Sequence, residues 1–198
     1  MQSPFLIGER IYLRPLELSD ADGTYPSWLN DPEVCSQNRH QTFPYTREQA
    51  MAYIDAVRGS QTDVVLAIID KQTDLHIGNI SLQAITYIHA NAELAIILGD
   101  RTSWGKGYGT EACGLMIQHG FQALRLHRIY CYTSDANIAM QRICEKLGMQ
   151  REGVQREAFF KHGRFYNIIE YGILANEWQT MIAREGNYDS LLYKMSTS

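Results

Sequence analysis

The sequence predicts a single α/β domain in which helices flank a mixed, mostly antiparallel central sheet. Its 198 residues are 45% hydrophobic and 20% charged, which is the balance of a folded chain long enough for one ordinary domain. The apolar pattern changes from strand to helical periodicity and back several times. No repeat, low-complexity tract or linker divides the chain. We therefore expect one domain over 1–198, with its core at about 10–178 and a tail at 187–198, where apolar periodicity is lost.

The first third of the chain predicts a strand followed by two helices. Residues 11–15 indicate a short strand that a proline ends. A serine-to-acid spacing at 19–22 indicates the start of a helix, which should end near 30–32. A second capping pattern begins at Thr46, and apolar residues then recur at helical spacing until Gly59.

The remaining two thirds predict a meander of three strands and then alternating helices and strands. Short β-rich runs separated by turn residues indicate the meander. A long helix, a strand, a helix stopped by Gly148 and a two-stranded hairpin should follow. The expected ranges are 64–69, 77–82 and 94–98 for the meander, a helix after Gly109, a strand at 129–133, a helix at 137–147 and hairpin strands at 151–159 and 165–174.

Composition and charge exclude several classes of function. Subtracting 22 acidic from 18 basic side chains gives a net charge of -4, so the overall field would repel the phosphates of nucleic acids. The four cysteines form no closely spaced pair and the histidines have no partner at metal-ligand spacing, so no metal is expected. Without a signal-peptide pattern or an apolar run long enough for a membrane span, the sequence predicts no membrane association and a cytoplasmic location.

The segment 104–112 carries the clearest functional signal. It places Gly105, Gly107 and Gly109 between a strand and a long helix. Glycines let the backbone adopt positive φ and approach a ligand, and the free N–H groups of a helix N-terminus favour an anion. We expect a phosphate or pyrophosphate there, with a tight turn that binds nothing as the alternative. The spacing fits neither a P-loop, which has lysine after the last glycine, nor a dinucleotide fingerprint, whose glycines do not alternate.

Together these features resemble the GNAT N-acetyltransferases. The matching segments are the meander, Gly105–Ala112 opening a helix, Asn137 after the next strand, Glu145–Met149 closing the following helix, and Trp28–Val34. The resemblance extends from about Arg10 to Trp178 and points to the RimJ/RimL-like branch. It implies that two parallel strands, at 94–98 and 129–133, splay apart and hold acetyl-CoA. Trp104 departs from the general signature, which has Gln or Arg there, although tryptophan is common in this branch.

The resemblance also implies where the cofactor binds. Backbone amides from Gly105 through Thr110 would hold the CoA pyrophosphate, and Ile97 and Leu98 would offer backbone groups to the pantetheine arm and the thioester. Asn137 would contact the cofactor beside the pantetheine, and an N-cap for its helix is the alternative. The complete set of cofactor-binding candidates is Ile97, Leu98, Trp104, Gly105, Lys106, Gly107, Tyr108, Gly109, Thr110 and Asn137.

Acetyl transfer to an amine also needs a group that takes the amine's proton. An alkylamine has a pKa of about 10 and is mostly protonated at neutral pH. Glu93, at the start of the strand that leads to the turn, is the predicted catalytic base, and a solvated or merely orienting glutamate is the alternative. The acids that protonate the thiolate in this family, a tyrosine or a serine, are replaced here by Cys144 and Met140. A neighbouring tyrosine or release of the thiolate to solvent could replace them, and we do not expect Cys144 to act as a covalent nucleophile.

The acceptor is expected opposite the cofactor, between the N-terminal helices and the late hairpin. The substrate-binding candidates are Trp28, Arg39, Tyr87 and Phe160. Arg39 and His40 could bind an anionic acceptor such as a nucleotide-linked amino sugar. Lys161 or Arg164 could assist them, and ordinary loop charges are the alternative.

The sequence thus predicts an acyltransferase that moves an acetyl group from acetyl-CoA to a primary amine by direct attack in a ternary complex. A small molecule such as an amino sugar, a polyamine or an antibiotic-like amine is favoured, because the chain is not basic and has no evident groove for a ribosomal partner. Acetylation of ribosomal-protein or other protein N-termini is the alternative acceptor. A non-catalytic acyl-CoA sensor is the alternative of another class. The sequence does not decide between a monomer and a homodimer formed through the edge strands of the hairpin.

Overall fold

A computed structural model describes residues 3–186, which form one eight-stranded sheet with helices on both faces. The predicted tail at 187–198 lies outside the described residues. The strands are β1 (Leu6–Ile7), β2 (Ile11–Pro15), β3 (Val64–Asp70), β4 (His76–Thr86), β5 (Asn91–Leu98), β6 (Arg128–Ser134), β7 (Gln150–Lys161) and β8 (Arg164–Leu174). The α-helices are α1 (Tyr25–Trp28), α2 (Arg47–Arg58), α3 (Tyr108–Gln122), α4 (Ile138–Lys146) and α5 (Ala175–Glu185).

The order of the strands confirms the mixed, mostly antiparallel sheet. It runs β1-β2-β3-β4-β5-β6-β8-β7. Every neighbouring pair is antiparallel except β5 and β6, which are parallel and are connected by α3. Between residues 3 and 186, no helix has both the length and the apolar composition needed to cross a bilayer.

The parallel pair opens into a gap at the centre of the sheet. β5 pairs with β6 only where Asn91–Glu93 faces Arg128–Tyr130. Beyond that point, residues 94–98 and 131–134 have no pairing with each other, although each strand keeps its antiparallel neighbour on the other side. The predicted splayed strand pair is therefore confirmed, and the backbone groups that line the gap lack a partner strand.

Each face of the sheet carries its own hydrophobic core. Because successive side chains of a strand point to opposite faces, neighbouring residues contribute to different cores. α3, α4 and α5 cover one core, to which Ala92 and Leu94 of β5 contribute. α1 and α2 cover the other, against which Ile97 packs. α3 lies close to the sheet, because a Cβ atom added to Gly120 would stand 2.8 Å from Ile129 Cδ1. Because side chains alternate, Glu93 points toward the face of α1 and α2.

The N-terminal helix differs from its prediction. The expected helix at 19–30 is divided into a 3₁₀ turn at Leu18–Asp22 and the single turn of α1. Gly23 adopts an extended conformation between them, and Pro26, which has no N–H group, stands in the first turn of α1. β1 and α5 were not predicted, since β1 is only two residues long and α5 follows β8 without a turn signal.

Candidate active site

A short capped turn leads from β5 toward α3. Asp100 accepts hydrogen bonds from the Thr102 amide at 3.0 Å and from the Ser103 hydroxyl at 2.7 Å. Burial of Asp100 opposes ionisation, but the hydrogen bonds from Ser103 and Thr102 prevail and lower its pKa. The ionised carboxylate therefore fixes the direction in which the chain enters the glycine-rich segment.

The glycine-rich segment presents a row of unpaired backbone donors. Gly105 and Gly107 have φ values of +73° and +80°, the left-handed region that favours glycine. Within the described part of the chain, none of the N–H groups from Gly105 through Thr110 donates a hydrogen bond. These amides stand at the N-terminus of the fifteen-residue α3, where the helix dipole adds positive potential. The arrangement fits a phosphate or pyrophosphate.

A buried carboxylate supports this turn from behind. Glu111 is only 1% exposed and accepts hydrogen bonds from the Arg10 amide at 2.9 Å, the Arg10 Nε at 3.0 Å and the Ile11 amide at 3.3 Å. Arg10 Nη1 donates to the Lys106 carbonyl at 2.6 Å, so it links Glu111 to the turn. No sequence pattern predicted a role for Glu111. The sequence feature that could have identified Glu111 is a charged residue in the first turn of an otherwise apolar helix.

Two other residues of the segment hold it against neighbouring elements. The lack of a side chain at Gly109 lets α3 approach α4 and β5, since an added Cβ would lie 3.1 Å from Ile143 Cδ1 and 3.4 Å from Leu98 Cδ1. The Tyr108 hydroxyl donates to Asp70 at 3.2 Å. Burial of Tyr108, followed by the charge of Asp70, raises the pKa of Tyr108. These contacts leave the amides of both residues free.

Trp104 and Asn137 already have partners in the protein. The indole of Trp104 is 39% exposed, and its Nε1 donates to the Leu98 carbonyl at 2.9 Å, one of the groups expected to face the pantetheine arm. Asn137 caps α4, because its Oδ1 accepts from the Met140 amide at 3.2 Å. Its Nδ2 donates no hydrogen bond to residues 3–186 and so stays available to a ligand. Contact between Asn137 and the cofactor remains a prediction.

Glu93 lies where the two parallel strands separate. It stands opposite Tyr130 in the last pair before the gap, and its side chain makes no hydrogen bond or ion pair with any residue between 3 and 186. Burial followed by the charge of Glu93 raises the pKa of Tyr130. Tyr132 lies on the same face, with its ring edge-on to that of Tyr130 at 5.6 Å. The predicted base is thus an unpaired carboxylate beside two tyrosines.

Two neighbouring carboxylates, those of Glu152 and Glu170, share one cation. Arg128 pairs with Glu170 at 3.3 Å and also forms a bidentate contact with Glu152. Glu170 stands opposite Tyr132 across β6 and β8. The carboxylate of Glu170 therefore has a charged partner, whereas that of Glu93 has none among residues 3–186.

The cysteines are packed away from the gap. Cys131 and Cys144 are at most 1% exposed, and their Sγ atoms lie 3.3 Å apart. The hydrogen bond with Cys144, followed by burial, raises the pKa of Cys131. A substrate therefore cannot reach Cys144 in this conformation. Among residues 3–186, no group of three or more histidine, cysteine or acidic side chains is arranged to hold a metal ion.

The substrate-binding candidates lie in different environments. Trp28 is 5% exposed and packs edge-on to His76 at 4.9 Å and against the backbone of Gly99, so it belongs to the core beneath α1 and α2. Tyr87 is exposed in the turn between β4 and β5, where its hydroxyl donates to the Gln61 carbonyl at 3.0 Å.

Arg39 and Phe160 come from segments that meet. Arg39 lies in the connection between α1 and α2, and Phe160 packs on Phe165 at the tip of the β7–β8 hairpin, with ring centroids 4.9 Å apart. Lys161 joins the two segments by donating to the His40 carbonyl at 2.7 Å. The structure therefore joins the segments of Arg39 and Phe160 through Lys161 and His40, whereas Tyr87 contacts Gln61 from the turn between β4 and β5.

The sequence profile of the acetyltransferase (GNAT) domain matches residues 10–150, which is more than half of the chain. The protein therefore belongs to the GNAT acetyltransferase family, and it is an N-acetyltransferase that uses acetyl-CoA as its acetyl donor. The unpaired amides of Gly105 through Thr110 fit the pyrophosphate of that donor.

Similar proteins support the same assignment along most of the chain. N-acetyltransferase p20 of Bacillus licheniformis is 31% identical over 176 residues, which cover 87% of this chain and 97% of that protein. A spermidine N(1)-acetyltransferase of Vibrio cholerae is 32% identical over 109 residues, covering 55% and 62% of the two chains. The crystal structure of a spermidine N-acetyltransferase from Vibrio cholerae with CoA and spermine has a TM-score of 0.78 at 25% identity, and covers 86% of this chain and 98% of that one.

Proposed function

We propose that the protein transfers an acetyl group from acetyl-CoA to a primary amine of a small molecule. One observation carries the proposal: the central gap has unpaired backbone amides at its open end and the unpaired carboxylate of Glu93 at its closed end. An anionic donor can be held at the first site while an amine loses its proton at the second.

Separate residues of this chain bind the cofactor, accept the proton and line the gap. Acetyl-CoA supplies an acyl group that is already activated as a thioester. The amides of Gly105 through Thr110 bind the pyrophosphate, and the backbone of β5 at Ile97 and Leu98, along the gap, binds the arm that follows it. Glu93 accepts the proton of the bound ammonium, which exposes the lone pair for direct attack. Tyr130 and Tyr132 form the wall beside Glu93 and limit the access of water.

A small amine is favoured over a protein N-terminus as the acceptor. The contact between Lys161 and the His40 carbonyl joins the Arg39 segment to the hairpin tip, which narrows the space available to a protein acceptor there. The similar proteins that act on spermidine support the same class. The RimJ/RimL-like branch, the cytoplasmic location and the homodimer remain predictions of the sequence.

Transfer of label from acetyl-CoA tests the proposal. Purified protein is incubated with labelled acetyl-CoA and either a panel of small amines or peptides that match ribosomal-protein N-termini. Labelled small amines are the expected products. Preferential labelling of the peptides would favour the protein N-terminal acetyltransferase instead, and binding of CoA without thiol release for any acceptor would favour the sensor.

A further inference from the structure

Residues of the connection between α1 and α2 line a small open pocket, and the hairpin tip lies beside it. The cavity has a volume of about 160 Å³. None of the residues that line it is acidic: they are Leu29, Arg39, His40, Gln41, Thr42, Phe43, Pro44, Tyr45 and Gln49. Lys161 brings an ammonium group to this connection through its 2.7 Å bond to the His40 carbonyl. The pocket therefore has two cations at its margin and no anion in its wall.

These two cations lack counter-charges. Among residues 3–186, neither Arg39 nor Lys161 forms an ion pair, and the one hydrogen bond of the Lys161 ammonium goes to a neutral carbonyl. Arg47 on neighbouring α2 provides the contrast, because its guanidinium is bound to Asp22 at 2.5 Å. Burial, followed by the charge of Lys161, lowers the pKa of His40, so this lining residue is neutral at pH 7.

The pocket lies on the acceptor side of the gap. Leu29 and Tyr45 belong to the layer of α1 and α2, which covers the face toward which Glu93 points. The connection is held near the end of β5 by an ion pair between Glu33 and Arg101 at 2.5 Å. The hairpin, which lies on the β6 side of the gap, contacts the connection through the bond between Lys161 and the His40 carbonyl. The amides that fit the cofactor's phosphates stand at the start of α3, which packs on the other face.

We propose that the acceptor amine also carries an anionic group, a phosphate or a carboxylate, which Arg39 and Lys161 bind in this pocket. This inference rests on the proposed function and narrows its substrate class. Arg39 in the wall of a pocket without acidic residues, with the Lys161 ammonium bound to the adjoining His40 carbonyl, matches such a group in charge and in hydrogen-bond donors. A polyamine, which carries only positive charges, would be repelled by the same pair. The amine end of the acceptor would then lie toward Glu93.

Matched acceptors that differ only in the anionic group provide the test. Steady-state kinetics are measured with glucosamine, glucosamine 6-phosphate and spermidine, using the wild type, Arg39→Gln, Arg39→Lys and Lys161→Gln. Arg47→Gln is the control, because it removes the same charge from a guanidinium that already has a partner. Charge-assisted hydrogen bonds of this kind predict a KM for glucosamine 6-phosphate that is about 10-fold higher in Arg39→Gln, with little change in kcat. Arg39→Lys should recover part of that loss.

The expected result is that the wild type prefers glucosamine 6-phosphate to glucosamine and spermidine, and that only the Arg39 and Lys161 substitutions remove this preference. An unchanged KM for acetyl-CoA in all variants would assign the effect to the acceptor rather than to the cofactor's phosphates. Equal use of the two sugars, a preference for spermidine, or an equal loss for every acceptor in Arg39→Gln would overturn the inference.

A binding measurement separates this inference from the proposed function. Titration calorimetry of glucosamine 6-phosphate into the CoA-loaded protein should give heat with the wild type and about 10-fold weaker binding with Arg39→Gln. If no amine is acetylated, the proposed function fails while this binding difference still supports the anion pocket. If amines are acetylated and the binding difference is absent, the anion pocket fails alone.

Discussion

Substitution of Gly105 by alanine isolates the contribution of the turn's backbone. The residue has φ +73°, and a Cβ added there would meet no atom within 4 Å, so the change introduces backbone strain without a clash inside the protein. Holding alanine in the left-handed region costs about 1–2 kcal/mol. If the free turn relaxes to avoid this strain, binding of CoA must restore the original conformation. At about 1.4 kcal/mol for each factor of ten, the dissociation constant of CoA should rise roughly 5- to 30-fold.

Gly163 provides the matched control for this experiment. It has φ +79° in the turn of the β7–β8 hairpin, and an added Cβ there would also meet nothing within 4 Å. Gly163→Ala should therefore lower the free energy of unfolding by about 1–2 kcal/mol without changing the affinity for CoA. Titration calorimetry with CoA and urea denaturation of each variant measure the two effects. Equal affinity for CoA in Gly105→Ala and the wild type would refute the role of the turn amides.

Three further substitutions test separate parts of the structure. Glu111→Gln should lower the free energy of unfolding by about 2–4 kcal/mol in urea denaturation, because it removes a buried charge and leaves Arg10 without its partner. Burial of Asp20 opposes ionisation, but hydrogen bonds from Arg14 at 2.8 and 2.6 Å lower its pKa. The wild type should therefore lose stability as the pH falls below about 4, where the unfolded carboxyl takes up a proton, and Asp20→Asn should remove that part of the pH dependence in thermal unfolding. Cys144→Ala should keep thiol release within about 2-fold of the wild type, since the thiol is buried against Cys131; loss of release in a folded variant would contradict this.

Local patterns predicted the part of the fold on which the site depends. The alternation of Gly105, Gly107 and Gly109 after a meander indicated the turn, because glycines before a helix start are typical of such a turn. The gap beside it was implied by the resemblance to the GNAT N-acetyltransferases. The division of the N-terminal helix was missed, since a serine-to-acid spacing at 19–22 does not reveal the extended conformation of Gly23.

The contacts that hold the site are formed between distant parts of the chain and could not be predicted from spacing. Arg10 and Glu111 are 101 residues apart in sequence and Lys161 and His40 are 121 apart, and only the folded sheet brings each pair together. The burial of Trp28 depends in the same way on the close approach of Gly99. In an isolated helix, the side chain of Trp28 could equally have faced solvent.

The pH dependence of thiol release by Glu93→Gln tests the central claim most directly. If Glu93 accepts the proton of the amine, the substitution should lower kcat by about 10²- to 10⁴-fold at pH 7 and leave the KM for acetyl-CoA unchanged. Activity should return as the pH rises toward the amine pKa of about 10, where the acceptor is already deprotonated. A variant with wild-type kcat, or one whose loss is the same at every pH, would contradict the role of Glu93 as the base.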